Sequence, residues 1–409
     1  MRLKTIQGVN VRNKRVLLRV DFNVFMKGGA VADDFRIKRS IPTIRYLLKN
    51  KAKVIILTHF GRPEEEGKAG LSAKPLARKL ENDLGHKVLF AADCVGPKAM
   101  RAAQKLKPQE ILMLENVRFH KGEERNDESF AGKLAALADL YVNEAFSVCH
   151  RAHASVEAIT RFLPSYAGFL LAKEVRVLHE AYEKPKLPLV IAMGGAKIET
   201  KAKLLKRFFD KANDILLGGM IANFVLRVKG IAIGKSKVDE DGDLKLKELN
   251  WTSVKLHLPV DVVVAKEMSA TAWLKTKGVG KVEDDEIILD IGPDTVELFS
   301  AIAMHAKTII WNGPLGYFEL ASFAAGTNEF VKAMAESKAF TIIGGGDSVA
   351  VVDALGLRAK MNFVSTGGGA MLDFLAGEPM PGIEALQKSQ KLIKSVKSKV
   401  KNKTHNIKT

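Results

Sequence analysis

An alternation that runs through almost the whole chain limits the fold more than any other feature. Short β-branched apolar runs occur at Val16–Val20, Val54–Leu57, Val88–Phe90, Ile111–Leu114 and Leu140–Val142. Between them lie segments with helical patterning, Arg39–Leu48, Leu76–Leu84, Pro97–Leu106 and Phe130–Ala138. Strands and helices alternating at this spacing predict a parallel sheet covered on both faces. A helical stripe at Phe169–Tyr182 then ends at a break flanked by Pro185 and Pro188, a pattern that reads as a domain connector. Beyond it the alternation restarts at Leu189–Met193, Ile215–Leu217, Val262–Ala265, Ile287–Asp290, Thr308–Trp311, Thr341–Ile343 and Phe363–Ser365. A chain of 409 residues has room for two or three domains. The expected architecture is therefore α/β, with mainly parallel sheets flanked by helices before and after the connector.

Ligands of such sheets gather at the carboxyl ends of the strands. In the first half those ends carry Asp21, Phe22 and Asn23; His59, Phe60, Gly61 and Arg62; Glu115, Asn116 and Arg118; and, after the fifth run, His150, Arg151 and His153. Arg36 lies just past the first strand's loop. Arginine offers a planar fork that suits phosphate and carboxylate, so this rim is expected to take a small polyanion rather than an apolar ligand.

In the second half the strand ends are rich in glycine: Gly194-Gly195, Gly218-Gly219, Gly292-Pro293, Gly313-Pro314, Gly344 to Gly346 and Gly367 to Gly369. Two strand–glycines–helix units follow one another between Phe340 and Leu375. Glycine lets the backbone approach an anion, and a helix N-terminus offers free N–H groups and partial positive charge. Asp347 sits inside the first of these turns. A carboxylate repels phosphate unless a cation lies between them, so the combination predicts Mg²⁺–nucleotide rather than bare phosphate. Lys197 and Lys201 are four residues apart and fall on one face of a helix start, where an anion would offset their charge.

Composition excludes several classes. Apolar and charged contents of 47% and 27% fit a soluble globular protein. The two cysteines, Cys94 and Cys149, are far apart and form no CxxC pair, which fits a reducing cytoplasm. No secretory h-region and no apolar run approaching ~18 residues is present, so neither a signal peptide nor a membrane span is expected. The net charge is +18, but eight lysines and no acids fall from Lys388 onward, leaving +10 on the rest of the chain. That excess suits a protein handling anionic substrates. Two glycine patterns lead nowhere. Gly230–Ser236 has three residues between its glycines where a P-loop needs four, and Glu283 stands where a dinucleotide fingerprint starting at Gly278 needs its third glycine.

The segments RVDFNV (19–24), HFGRP (59–63), ENVRFH (115–120), HRAHAS (150–155), GGAK (194–197), WNGPLGYFE (311–319), GGGDS (344–348) and STGGGA (365–370) resemble the phosphoglycerate kinase family, in order and up to about Leu386. The resemblance implies two Rossmann-like lobes, each a mainly parallel sheet flanked by helices, joined by a hinge helix: 1–170 for the triose, 171–187 as connector, 188–372 for nucleotide, and 373–387 returning to the first lobe. It implies phosphoryl transfer between 1,3-bisphosphoglycerate and ADP, giving 3-phosphoglycerate and ATP with Mg²⁺, by direct in-line transfer on closure of the hinge. Asp21 and Asn23 would contact the triose, beside Phe22, Phe60 and Gly61. His59, Arg62, Arg118 and Arg151 would hold its phosphate and carboxylate, and Arg36 would face the migrating group. Lys201 would bind nucleotide phosphate and Lys197 would support the transfer. Glu319 would reach the ribose, Asp347 the metal, and Gly345, Gly346 and Ser348 the phosphates. Gly194, Gly195, Gly218, Gly219, Gly292, Asn312 and Pro314 complete the nucleotide side. Gly345 and Gly368 join Arg36, Lys197 and Lys201 as the catalytic set, the Gly367–Gly369 helix start stabilising charge at the transfer point.

Phe25, Glu199-Thr200 and Met371 depart from the family pattern without removing a charged group. A cytoplasmic monomer is expected. The tail 388–409 lies beyond the resemblance. Leu392, Ile393, Val396 and Val400 make an apolar stripe among its lysines, and contact with an anionic partner such as RNA or a membrane surface is the alternative to a solvated extension. A non-catalytic nucleotide and sugar-phosphate binding protein on the same fold is the competing function.

Overall fold

A computed structural model describes residues 1, 3–196, 198–238 and 250–389. The chain divides into two units. One comprises Met1–Val177 and the segment beginning at Pro379; the other is Leu178–Glu378. Lys197 and the basic stretch from 390 to 409 lie outside the described residues.

The first unit is built on β1 (Arg15–Arg19), a small hairpin of β2 (Met26–Lys27) and β3 (Ala30–Val31), and then β4 (Lys53–Leu57), β5 (Val88–Ala91), β6 (Ile111–Leu114), β7 (Leu140–Asn143) and β8 (Ser165–Ala167). Six of these form one sheet in the order β5-β6-β4-β1-β7-β8, parallel throughout. Residues 16–19, 54–57 and 111–114 are all buried, because helices cover both faces. The helix Phe35–Lys49 supplies Ile37, Ile41, Ile44 and Leu47 to the core, and Lys74–Leu84 supplies Leu76, Ala77 and Leu80. The second of these has proline in its first turn and Gly85 in the left-handed region at its end. The order of the strands reverses about β1, so the crevice at its carboxyl end is where such a sheet takes a ligand.

The second unit contains β9 (Leu189–Met193), β10 (Asp214–Leu217), β11 (Leu256–His257), β12 (Asp261–Ala265), β13 (Lys275–Gly278), β14 (Ile287–Ile291), β15 (Thr308–Asn312), β16 (Phe340–Gly344) and β17 (Phe363–Val364). Its parallel sheet runs β11-β10-β9-β15-β16-β17, and here the reversal falls at β9. Two runs expected to continue the alternation behave otherwise. β12 and β14 leave the main sheet and pair antiparallel, with β13 on the far side of β12. Only a short connection separates β12 from β13, too short for the crossover that parallel pairing needs. The helix expected at 169–182 spans Phe169–Glu183.

Candidate active site

At the carboxyl end of β1 the first unit gathers charge around Asp21, which is buried. One of its oxygens accepts from the Asn23 backbone at 2.9 Å. The other pairs with Arg36 at 2.8 Å and accepts from the Ser147 hydroxyl. Arg36, in the first turn of its helix, also donates to the Asn23 carbonyl at 2.9 Å, while the Asn23 side chain accepts from Gly61 N–H at 2.9 Å. Phe22 is wholly buried and anchors the loop, its N–H donating to Thr58 Oγ1 at 3.0 Å. Phe60 is fixed through the buried Asn116, which accepts from its N–H and donates to its carbonyl.

Arg118 is almost fully buried, donates to the Gly61 carbonyl at 2.9 Å, and lies 3.1 Å from Glu124. Arg151 lies against His150 at 3.2 Å. Arg62 is the outlying member, exposed and paired with Glu65 at 3.1 Å. His59 contacts Arg19 at 3.2 Å. Burial, reinforced by the Arg19, Arg118 and Arg36 charges, holds its pKa well below the ordinary histidine range. Burial and then Arg118, Arg19 and Arg151 push His153 down to about 3. Both imidazoles are neutral at physiological pH. The rim therefore presents fixed guanidinium charge beside neutral imidazoles.

Arg19 underlies this rim and is the residue that sequence patterning passed over. It is fully buried, donates to Ser155 Oγ at 2.8 Å, and sits 4.0 Å from Glu123. Glu123 is itself buried and accepts from Ser155 N–H and Oγ. Inside an apolar strand, the signal was the charge itself: an arginine at the last strand position needs a buried partner.

In the second unit an apolar slot of about 280 Å³ opens beside the β9 end. Met220, Val262, Met268, Leu289, Leu315 and Tyr317 give it flat apolar walls. Of the residues expected on the nucleotide side, Gly195, Gly219, Pro314, Glu319 and Asp347 line it. Glu319 and Asp347 are exposed.

Gly194, Gly218, Asn312 and Ser348 lie beneath as framework. The Asn312 carbonyl accepts from Gly194 N–H at 3.1 Å and its side chain donates to Gly344 O at 2.7 Å. Ser348 Oγ accepts from Gly313 N–H at 2.7 Å. The Gly218 N–H donates to Met193 O at 2.8 Å. Lys201 is buried, with its ammonium donating to the Gly194 carbonyl. Gly292 begins the helix Pro293–His305 and packs on Asp261, apart from the slot lining.

Two glycines here are required by space and conformation. A Cβ on Gly194 would lie 1.8 Å from the Pro314 carbonyl oxygen, and Gly345 has φ of +99°. Gly345 precedes the helix Gly346–Ala354, and Asp347 falls in that helix's first turn. Gly368, at φ +51°, precedes the helix Gly369–Ala376, with open space where its Cβ would be.

Sequence patterning gave no sign of Asp290, which also lines the slot. It accepts from Gly326 N–H at 2.7 Å and Ile291 N–H at 2.9 Å, and burial pushes its pKa up to about 7. Of the departures from the family pattern, Phe25 is 71% exposed, so nothing in the interior resists its size. Met371 is buried and packs its sulfur against Gly344.

The first unit thus carries a guanidinium rim, and the second an apolar slot bordered by Asp347 at a glycine-led helix start. The phosphoglycerate kinase family model matches residues 6–378. A phosphoglycerate kinase of Moorella thermoacetica is 46% identical over 386 residues, covering 93% of this chain and 98% of that one. One from Pelotomaculum thermopropionicum is 44% identical over 390 residues, covering 94% and 99%. Among solved structures, phosphoglycerate kinase from Coxiella burnetii aligns with a TM-score of 0.83 at 38% identity, covering 94% of this chain and 99% of that one. The enzyme from Pyrococcus horikoshii gives 0.84 at 34% identity, covering 95% and 100%. The chain belongs to the phosphoglycerate kinase family.

Proposed function

We propose that the chain catalyses reversible, Mg²⁺-dependent phosphoryl transfer from 1,3-bisphosphoglycerate to ADP, giving 3-phosphoglycerate and ATP in glycolysis and gluconeogenesis. The observation that carries this reading is the rim around Asp21, where Arg36, Arg118 and Arg151 surround histidines held neutral. In this reaction an oxygen of the ADP β-phosphate attacks phosphorus and the substrate carboxylate leaves. No proton has to move at the reacting atoms, so cations and positioning suffice and a base is superfluous. Arg118, Arg151 and Arg62 hold the phosphate and carboxylate of the triose, with Asp21, Asn23 and His59 beside them. Arg36 faces the group in flight.

On the nucleotide side the apolar slot accepts the base, Glu319 reaches the ribose, and the Gly345–Gly346 backbone and Lys201 meet the phosphates. Lys197 is assigned to the transferring group although it lies outside the described residues. Asp347 fits Mg²⁺: it is an oxygen donor, exposed, and set at a helix start with room for phosphate and water. Bound there, the ion would be held by the Asp347 carboxylate and would offset phosphate charge. The Gly368 turn contributes helix N-terminal charge.

Both sets of residues belong to one chain, so a monomer would suffice for the reaction. Cys94 and Cys149 are unpaired, in keeping with a cytoplasmic enzyme, and among the described residues no helix is long and apolar enough to cross a membrane.

A coupled assay with ADP, Mg²⁺ and 1,3-bisphosphoglycerate should yield ATP. Arg36→Ala should lower kcat by roughly 10³ with the far-ultraviolet circular dichroism unchanged. Wild-type protein that binds nucleotide yet does not turn over would leave the non-catalytic binding protein as the better reading.

A further inference from the structure

Two residues beyond Arg118, His120 joins two others, so that the first unit brings together three side chains of different donor chemistry. Asp93 and Cys94 follow β5, and His120 closes the turn Val117–Phe119. The candidate ligand atoms of all three lie within 4.8 Å of one another. We infer that Asp93, Cys94 and His120 form a site for one thiophilic divalent ion of the zinc class.

The cluster is already ordered. His120 Nε2 lies 2.8 Å from Asp93 Oδ1, and the imidazole stacks on Phe130 with centroids 5.2 Å apart and planes at 26°. Asp93 Oδ1 also accepts from the Cys94 N–H at 2.7 Å. Its Oδ2 carries no hydrogen bond among the described residues.

The thiol is the telling member. Cys94 is fully buried, forms no disulfide, and its sulfur has no hydrogen-bond partner among the described residues. The other cysteine is different, with Cys149 donating to the Ala145 carbonyl at 3.4 Å and lying 3.6 Å from Asn143 Nδ2. Burial first, and then the carboxylates Asp93, Glu123 and Glu115, raise the Cys94 pKa well above the ordinary thiol range, and a cation would offset the carboxylates' field. The Asp93 and His120 side chains are 39% and 33% exposed, so an ion has a path from solvent.

Sulfur, nitrogen and oxygen together suit zinc, whereas Mg²⁺ takes oxygen alone. Zinc bonds of roughly 2.0–2.3 Å require the donors to draw closer, and the partly exposed Asp93 and His120 side chains are the ones with room to adjust. On loading, the Cys94 proton leaves to solvent, and His120 ligates through Nε2 with its remaining proton on Nδ1. Water takes the fourth position.

The test uses the full chain, reduced and stripped of metal, titrated with Co²⁺ as a spectroscopic stand-in for zinc. One equivalent should bind with a thiolate-to-cobalt charge-transfer band that Zn²⁺ abolishes and excess Mg²⁺ leaves intact. Cys94→Ser should remove the band, Cys149→Ser should keep it, and Asp93→Asn, at a partly exposed position, should weaken binding roughly 10-fold or more. No band in the wild type, a band that survives in Cys94→Ser, or Asp93→Asn binding as tightly as wild type would each overturn the site. Should Cys94→Ser not fold, the comparison of Asp93→Asn with wild type decides it.

Discussion

The two units present positive charge in different ways. In the first it resides on side chains: Arg36 and Arg118 are held by carboxylates and carbonyls, above a buried Arg19 tied to Ser155 near Glu123. In the second much of it resides on the backbone, at helix starts behind Gly345 and Gly368, with the buried Lys201 drawn against the Gly194 carbonyl. Guanidinium forks read the shape of a small acid with two anionic ends. Backbone N–H groups donate to any phosphate that reaches them, so on that side selectivity falls to the apolar slot. The difference also sets how each region should fail. A side-chain site loses affinity when one fork is removed, whereas a backbone site fails when a glycine acquires a side chain.

Gly194→Ala offers the most severe test of the backbone site. Its Cβ would meet the Pro314 carbonyl at 1.8 Å, a clash with main chain that no rotamer relieves. We expect a loss of roughly 3 kcal/mol in urea denaturation, together with weakened MgADP binding. Stability equal to wild type would mean that the two strand ends are not packed as described.

Asp347→Asn comes next. The carboxylate is exposed, so stability should hold while KM for MgADP rises roughly 10-fold, about 1.4 kcal/mol, with KM for the triose unchanged. An equal rise in both would break the separation of roles.

Acid sensitivity carries opposite signs at His153 and Asp290. His153 titrates near 3 when folded and near 6.5 when unfolded. The unfolded chain therefore binds the extra proton between these values. The contribution of His153 to stability is present above about pH 6.5 and is lost as pH falls towards 3. Asp290 runs the other way: its pKa rises from 3.8 to about 7 on folding, so its contribution is present below about pH 3.8 and is lost as pH climbs to 7. Urea midpoints measured from pH 4 to 7.5 should lose part of their acid slope in His153→Gln. Asp290→Asn should instead flatten the decline towards neutrality. The same change of slope in both variants would contradict these signs.

The contrast also explains what could be read in the sequence. Parallel strands buried on both faces announce themselves as unbroken apolar runs, so β4, β6 and β9 were legible almost to the residue. β13 (Lys275–Gly278) is only partly buried and β8 has three residues, and neither gives a periodic signal. The departure of β12 and β14 from the main sheet depends on pairing, which runs of Val and Ile do not specify. In the site, arginines at strand ends were visible because their chemistry is local. Arg19 was hidden within its strand, and the slot walls come from Met220, Val262, Met268 and Leu289, which no single motif contains.

The most direct test of the division between side-chain and backbone recognition is calorimetric titration of Arg118→Ala with each ligand alone. We predict that 3-phosphoglycerate binds roughly 100-fold more weakly than to wild type, because a nearly buried fork is lost. MgADP should bind within about twofold of wild type, since Arg118 belongs to the other unit. Equal weakening of both ligands, or unchanged binding of 3-phosphoglycerate, would contradict it.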